Sequence, residues 1–411
     1  MSSRLKILVV TSSTCLVVLF LFGAMLGKGA PSPAAEDGTP GVYRHIAVFT
    51  EVLTRIKSEY VEEPDMKSVT LGALNGMLEA IDPFASYLNA DQYRDYLKNK
   101  DLKRAEVGLI LSKKFGYVGV VGTITGSPAA KANFTTGDMI ETIGGVATRD
   151  MPLAYASMLL RGESGTTVEL SVVRTRHPEP VTVKLTRANL VLPAVENRML
   201  ANQVGYINID AVSADTAKQV TAAVQQLQKD GAKKLMVDVR NCATGTPEEG
   251  IALANLFVNK GRITYLTGQK VPRQNFEADP AKAITTLPVA ILTNRGTAGA
   301  SEILASAVMD NKRGQVVGER TYGDAAVRKA ITMEDGGAII LSVAKYYSPE
   351  GGKAIQDTGV TPSAVVSDAA AQLDVDDNGD GVPDAAPDKA QEKKVEDDAI
   401  VKKALELLAK A

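Results

Sequence analysis

The spacing of apolar positions changes twice along the chain. In "VYRHIAVFTEVLTRIKSEYV" the residues Ile46, Phe49, Val52, Leu53 and Ile56 recur at helical intervals. "SVTLGALNGMLEAI" and "ADQYRDYLKNKD" predict two further helices, so a small helical region covers roughly 43–102. From about 103 the period shortens. "AEVGLIL", "GYVGVVGTI", "DMIETIGGVAT" and "TTVELSVVRT" predict strands, and "SPAAKAN" and "LAYASMLLRG" predict helices between them. Gly137–Asp138 marks a tight turn, and "RHPEP" another. From about 188 strands and helices alternate. "QVGYINID", "KKLMVDVRN" and "LPVAILTN" predict strands, while "ADTAKQVTAAVQQLQKDG" and "EEGIALANLFVNKG" predict helices. That alternation implies an α/β layer fold, in which sites form beyond the C-terminal ends of the strands.

Two strand ends stand out, "VDVRNCATGT" and "ILTNRGTAGAS". The second continues into "NRGTAGASEILASAVMD", a Gly-rich loop turning into a helix with an apolar face at Ile303, Leu304, Ala307 and Val308. From about 367 the tail is rich in Ala, Asp and Lys and ends in a helix, "DDAIVKKALELLAK", expected to pack on the core.

Length sets the scale: 411 residues suggest two or three domains. Hydrophobic and charged shares of 45% and 23% are those of a globular protein. A net charge of −2 gives no basis for a nucleic-acid partner, which would need a clustered basic surface. The N-terminus changes the picture more. Arg4 and Lys6 precede an uncharged stretch of 21 residues, Ile7–Gly27. That length favours a single membrane-spanning helix over a cleaved leader, whose apolar region usually runs about 7–15 residues. Gly29, Ala30 and Ala34 keep a cleavable signal as the alternative. Positive charge on the short side places the bulk of the chain outside the cytoplasm. A Pro/Gly/acidic linker, Ala30–Gly41, follows. Cys15 in the apolar stretch and Cys242 in the α/β part are not expected to pair.

Four stretches in one collinear order resemble the carboxyl-terminal processing proteases, the tail-specific serine peptidases of the S41 type. They are "VFTEVLTRIKSEYVE", "AIDPFASYLN", "GTAGASEILASAVMDNKRGQVVGERTYG" and "LSVAKYYSPEGGKAIQDTGVTP". The resemblance spans roughly 43–366. It implies a multidomain α/β chain: signal anchor and linker (1–42), helical region (43–102), PDZ domain (103–187; β-sandwich-like with two helices), ClpP/crotonase-like protease core (188–366), then acidic linker and C-terminal helix (367–411). The family's loop reads "GSASASEI" and its base region "GERTFGKGSVQ", with a serine nucleophile, a lysine base and a glutamine that orients the lysine. Laid on this sequence, the nucleophile position is Gly299, the base position Asp324 and the orienting position Arg328. The family's oxyanion turn "DLRNNPGG" is here "DVRNCATGT": Asp238, Arg240, Asn241 and Gly245 match, whereas Ala243 and Thr244 depart. Gly245 and Ala300 are the expected oxyanion-turn positions.

Without a side chain at 299 no acyl-enzyme can form there. Ser301 is the fallback nucleophile, but two helical residues rotate by about 200°, so it should face away and serve as a cap or packed hydroxyl. Thr297, Cys242, His45 and His177 are weaker candidates; the histidines lie outside the core and are expected at the surface. For the PDZ domain, the resemblance implies Val107, Gly108, Leu109 and Ile110 as the groove for a peptide C-terminus, a PDZ-shaped spacer with a closed groove being the alternative, and Arg161 either as coupling it to the core or as an ordinary surface arginine. In "DVDDNGDGVPD", Asp376, Asn378, Asp380 and Asp384 have the alternate oxygen-ligand spacing of a short calcium loop; a solvated acidic linker is the alternative. No cofactor is otherwise required. The expectation is a pseudoprotease at the cell inner membrane with a periplasmic or extracytoplasmic body. It would bind protein C-termini or unfolded polypeptide, partner an active protease relative, and pair as a homodimer. The alternative is an active serine endopeptidase using Ser301.

Overall fold

The computed structural model describes residues 39–100, 104–114, 116–149, 151–174, 177–367 and 395–410. Both the Ile7–Gly27 stretch and the Asp376–Asp384 candidate calcium loop lie outside them. Among the described residues no helix is long and apolar enough to cross a membrane. The chain divides into Met1–Val69 and Thr70–Ala411. That boundary falls inside the region expected as one helical unit.

In the first unit, α1 (Thr39–Glu59) forms where the apolar period predicts it. On its polar side Arg55 pairs with Glu51 at 3.5 Å and Glu59 at 2.7 Å. Of its apolar row, Ile46 is 54% and Val52 51% exposed, whereas Phe49, Leu53 and Ile56 are half-buried. A second helix, α2 (Met66–Glu79), begins in this unit and runs across the boundary.

The second unit opens with β1 (Ser86–Leu88) and α3 (Ala90–Asn99). Asn89 caps α3: its side chain accepts from the N–H groups of Asp91 and Gln92, and Gln92 reaches back to the Asn89 N–H. The PDZ region follows as β2 (Leu109–Lys114), β3 (Tyr117–Thr123), α4 (Pro128–Lys131), β4 (Met139–Ile143), β5 (Val146–Ala147), α5 (Leu153–Leu160), β6 (Thr167–Arg174) and β7 (His177–Thr186). All these strands join one sheet, ordered β2-β3-β4-β6-β7 with β5 on β4. The sandwich-like arrangement expected from the sequence is therefore a single sheet. Val118, Ile140, Leu170 and Val172 fill its core against Ala156 and Leu160 of α5. Strand β7 was hidden by Pro178 and Pro180, which read as a turn. Among the described residues it pairs only with β6, and an edge strand tolerates proline. His177 thus opens a strand rather than sitting in a turn.

The core comprises β8 (Glu196–Leu200), β9 (Val204–Asn208), α6 (Thr216–Lys229), β10 (Lys234–Asp238), α7 (Pro247–Asn255), β11 (Arg262–Thr267), β12 (Gln274–Glu277), β13 (Val289–Thr293), α8 (Ala300–Asp310), β14 (Gly314–Gly318), β15 (Ala326–Thr332), β16 (Ala338–Tyr347), β17 (Ala364–Val365) and α9 (Ala399–Ala409). One sheet runs β17-β14-β13-β10-β9-β8, parallel except where β8 meets β9. Its strands alternate between two buried faces. Leu235, Val237 and Ile291 point into the cluster holding α6, α7 and α8. Met236, Ala290 and Leu292 point into another, which Ile400, Val401, Ala404 and Leu408 of α9 complete. The C-terminal helix is thus a layer of the core. A second sheet runs β1-β16-β11-β12, with β15 on β16.

Helix α8 departs from its expected one-sided character. Every residue from Ala300 to Val308 is buried, Ser301, Glu302 and Ser306 included. A helix apolar on most of its circumference belongs inside a protein, and here its few polar groups must be accommodated internally.

Candidate functional site

The loop between β13 and α8 is fastened from below. The Thr297 hydroxyl donates to Val239 O at 2.8 Å and accepts from the Asn294 N–H at 3.0 Å. The Ala298 N–H donates to Cys242 O at 3.0 Å. Asn294 and Asn241 exchange two hydrogen bonds of 2.9 Å. Thr297 is therefore a strut whose oxygen is already engaged on both sides.

These bonds place Gly299 at the helix entrance with φ +63° and ψ −119°. That is a sharp strand-to-helix turn of the kind that presents a nucleophile, in a region L-residues rarely adopt. Space is not the obstacle: an added Cβ would lie 3.6 Å from Asp324 O and 4.0 Å from Gly245 O. The room is there, but at this φ a side chain would be strained.

Asp324 and Arg328, the base and orienting positions, are joined to each other. Arg328 Nη2 donates to Asp324 Oδ1 at 2.5 Å. The Arg328 guanidinium also lies 4.0 Å from the Phe84 ring centroid, a cation–π contact. Its Nε is buried and has no hydrogen-bond partner among the described residues. The two aligned positions are thus tied together in an ion pair.

Ser301 is fully buried, one helical step into α8. Its Oγ has no conventional hydrogen-bond partner among the described residues; the neighbouring polar group is the Cys242 thiol, on which the hydroxyl acts. Burial pushes that thiol up to about 11, opposed by the Ser301 hydroxyl. Neither group meets solvent, and a neutral buried thiol is not a nucleophile. Of the histidines, His45 is exposed on α1.

Gly245, with φ +96°, sits against Ala300: a Cβ added to it would lie 3.2 Å from Ala300 Cβ and 2.6 Å from Val212 Cγ1. The two oxyanion-turn positions are therefore neighbours. Thr244, one of the departures in this turn, stitches it to the loop after β9. Its hydroxyl accepts from the Val212 N–H at 2.9 Å and donates to Val212 O at 3.1 Å.

Sequence reasoning missed the residue that ties the site together. Glu302 is fully buried. Its carboxylate accepts from the N–H groups of Gly299 (3.0 Å), Gly323 (2.8 Å) and Asp324 (2.8 Å), and from the Thr321 hydroxyl. It joins the loop at 299 to the loop at 321–324. Burial pushes its pKa up to about 7, against these donors, which favour the ionised form. The available signal was its spacing: it stands three residues after the helix N-cap, where a carboxylate reaches back to the cap N–H.

The PDZ region is seated over this site. Tyr322 donates to Ser112 on β2, and its ring meets Phe84 edge-on at 6.0 Å. Carbons added to Gly122 and Gly296 would lie 3.9 Å from Ala243 Cβ and 3.1 Å from Thr136 Oγ1. Val107, Gly108, Leu109 and Arg161 line a groove of about 60 Å³ between β2 and α5. Leu111 lines it, while Ile110 does not. Arg161 pairs with Glu106 at 3.7 Å. A larger cleft of about 480 Å³ holds Asp324 and Arg328 and shares Leu111, Ser157 and Arg161 with the groove.

Comparison with known proteins matches these parts. Residues 203–366 match the model of peptidase family S41, and residues 119–174 that of the PDZ domain. The carboxy-terminal-processing protease of Bartonella bacilliformis is 30% identical over 361 residues, covering 85% of this chain and 82% of that protein. The carboxyl-terminal-processing protease of a Synechocystis strain is 32% identical over 319 residues, covering 76% and 74%. A solved photosystem II D1 C-terminal processing protease aligns with a TM-score of 0.64 at 27% identity, over 78% of this chain and 92% of that one.

Proposed function

This chain belongs to the carboxyl-terminal processing protease family of S41 peptidases, and from that premise we propose that it is a pseudoprotease that binds polypeptide without cutting it. One observation carries the reading: Gly299 occupies the strained, roomy turn of the nucleophile position, and the base and orienting positions are an Asp324–Arg328 ion pair. Asp324 has no side chain at 299 to activate. In a template serine protease, losing the nucleophile alone costs on the order of 10⁶ in kcat.

The competing reading, an active endopeptidase attacking through Ser301, is weakened by the burial of that hydroxyl beneath the turn. What remains are binding surfaces. The groove of Val107, Gly108 and Leu109 suits a free C-terminus added alongside β2, and the cleft beside it suits an extended segment. We place this activity on an inner-membrane protein anchored by Ile7–Gly27, with its body periplasmic or extracytoplasmic, acting as holder or as regulator of an active relative. The exposed Ile46 and Val52 of α1 suit pairing with a second copy. Calcium at Asp376–Asp384 rests on sequence spacing alone.

The test is direct. The purified chain is incubated with an unfolded protein and fragments are sought. The substrate is expected to stay intact; specific cleavage lost in Ser301→Ala would overturn the reading. Peptides with free and amidated C-termini are expected to differ in affinity, and equal binding would argue against carboxylate capture.

A further inference from the structure

The groove and the cleft are two parts of one trough. Leu109 and Leu111 of β2 line the groove, and Ile110 between them does not. Leu111, with Ser157 and Arg161, lines the cleft as well. On α5 the order agrees: Leu160 lines only the groove, and Leu153 and Met158 only the cleft. Groove therefore passes into cleft as β2 runs from Leu109 to Leu111. A peptide strand added alongside β2 alternates its side chains with the same period. When its last residue stands beside Leu109, its third-from-last residue stands beside Leu111. That side chain turns into the cleft, whereas its neighbour, second from the end, turns away. The groove, at about 60 Å³, admits only a few heavy atoms. The cleft, at about 480 Å³, admits a large ring.

Much of the cleft wall lies outside the PDZ domain: Phe84 before β1, Tyr96 on α3, Arg328 on β15 and Ile340 on β16. Unspent charge is not what these walls offer, because Arg161 is paired with Glu106 and Arg328 with Asp324. They offer a flat surface. The Arg328 guanidinium lies over the Phe84 ring, 4.0 Å from its centroid. About a quarter of the Arg328 side chain stays open, on the wall of the cleft. A guanidinium in an ion pair keeps the faces of its plane, and those faces attract aromatic rings.

We propose that the cleft is the pocket for an aromatic side chain, third from the free C-terminus of the bound polypeptide, which packs on Arg328 and against Met158 and Ile340. The proposal rests on the binding role given above and adds which residue of the ligand is read. The pocket is composite, one wall from the PDZ domain and the other from the core. The arginine at the orienting position becomes a residue that recognises the ligand.

The test measures binding of fluorescein-labelled peptides to the full-length chain. All share one Ser/Gly-rich sequence with a free C-terminus and carry Phe, Leu or Gln third from the end. One control moves the Phe to the second position from the end. Phe in third place is expected to bind at least about tenfold tighter than Gln, with Leu between them. Phe in second place is expected to bind no tighter than Gln. Asp324→Asn with Arg328→Gln removes both halves of the ion pair and should bring Phe down to the Leu level, with Leu still ahead of Gln. Met158→Asp, at a half-buried position on α5, should bring Phe and Leu alike towards Gln. Equal binding of the Phe and Gln peptides overturns the proposal, as does the same gain from Phe in second place. A lead of Phe over Leu that survives the double variant, or binding unchanged in Met158→Asp, also overturns it. Failure here is separable from failure of the binding role. If the peptides bind alike but better with a free than with an amidated terminus, the role stands and only the aromatic pocket falls. If none binds, both fall.

Discussion

At the scale of single residues, the contrast lies between a position that is empty and one that is full. Gly299 has room for a side chain but a backbone that resists one. Gly299→Ser should fold, cost about 1–3 kcal/mol in urea denaturation, and remain inactive, since Asp324 stays locked to Arg328. Adding Asp324→Lys and Arg328→Gln removes that lock and supplies the family's base and its partner. Protease assays on the triple variant should then register hydrolysis, provided the Thr244-stitched turn still offers its N–H groups. Glu302 is the full position. Its pKa is raised in the folded chain, so the stability it contributes is greatest below the ordinary glutamate range and is lost as pH rises towards about 7. The stability difference between the native chain and Glu302→Gln should therefore shrink by about 1–3 kcal/mol between pH 4.5 and 7.5; a flat difference would mean the carboxylate titrates normally.

Among elements, helices α8 and α9 show how far periodicity reaches. Their existence and their apolar residues follow from spacing. What spacing left out for α8 was enclosure on all sides, because a row of Ala and Ser reads as tolerant of water while its small volume is what lets β11, β14 and α7 approach closely. For α9 the sequence marked an amphipathic end, and the structure made it the cover of a sheet face. Ile400→Ala should accordingly cost about 2–5 kcal/mol, whereas Lys402→Ala on its exposed side should stay within about 0.5 kcal/mol, both read by urea midpoint. Strand β7 was missed because proline is a local signal and edge position is not. The site was legible in the same uneven way. Gly299, Asp324 and Arg328 came from motif alignment, and so did Gly245 and Ala300. Glu302, Thr244 and Tyr322 act by joining segments distant in sequence, and no local pattern announces such a partner.

On the whole-molecule scale, α1 presents an apolar row in which Ile46 and Val52 are exposed among the described residues. If two copies bury these rows against each other, Ile46→Glu with Val52→Glu should convert a dimer to a monomer in sedimentation without changing the thermal midpoint of the Thr70–Ala411 unit. The sequence by itself determined which residues stand at the three positions that align with the family's nucleophile, base and orienting residues: Gly299, Asp324 and Arg328. It also determined the order of domains, because periodicity and turn residues act locally. Only the tertiary structure decided that Ser301 is sealed beneath the turn and that Asp324 is spent on Arg328. It alone gathered Lys100, Arg104, Arg161 and Arg328 around one cleft. Burial and charge proximity depend on segments more than a hundred residues apart meeting in space, and no stretch of sequence carries that distance.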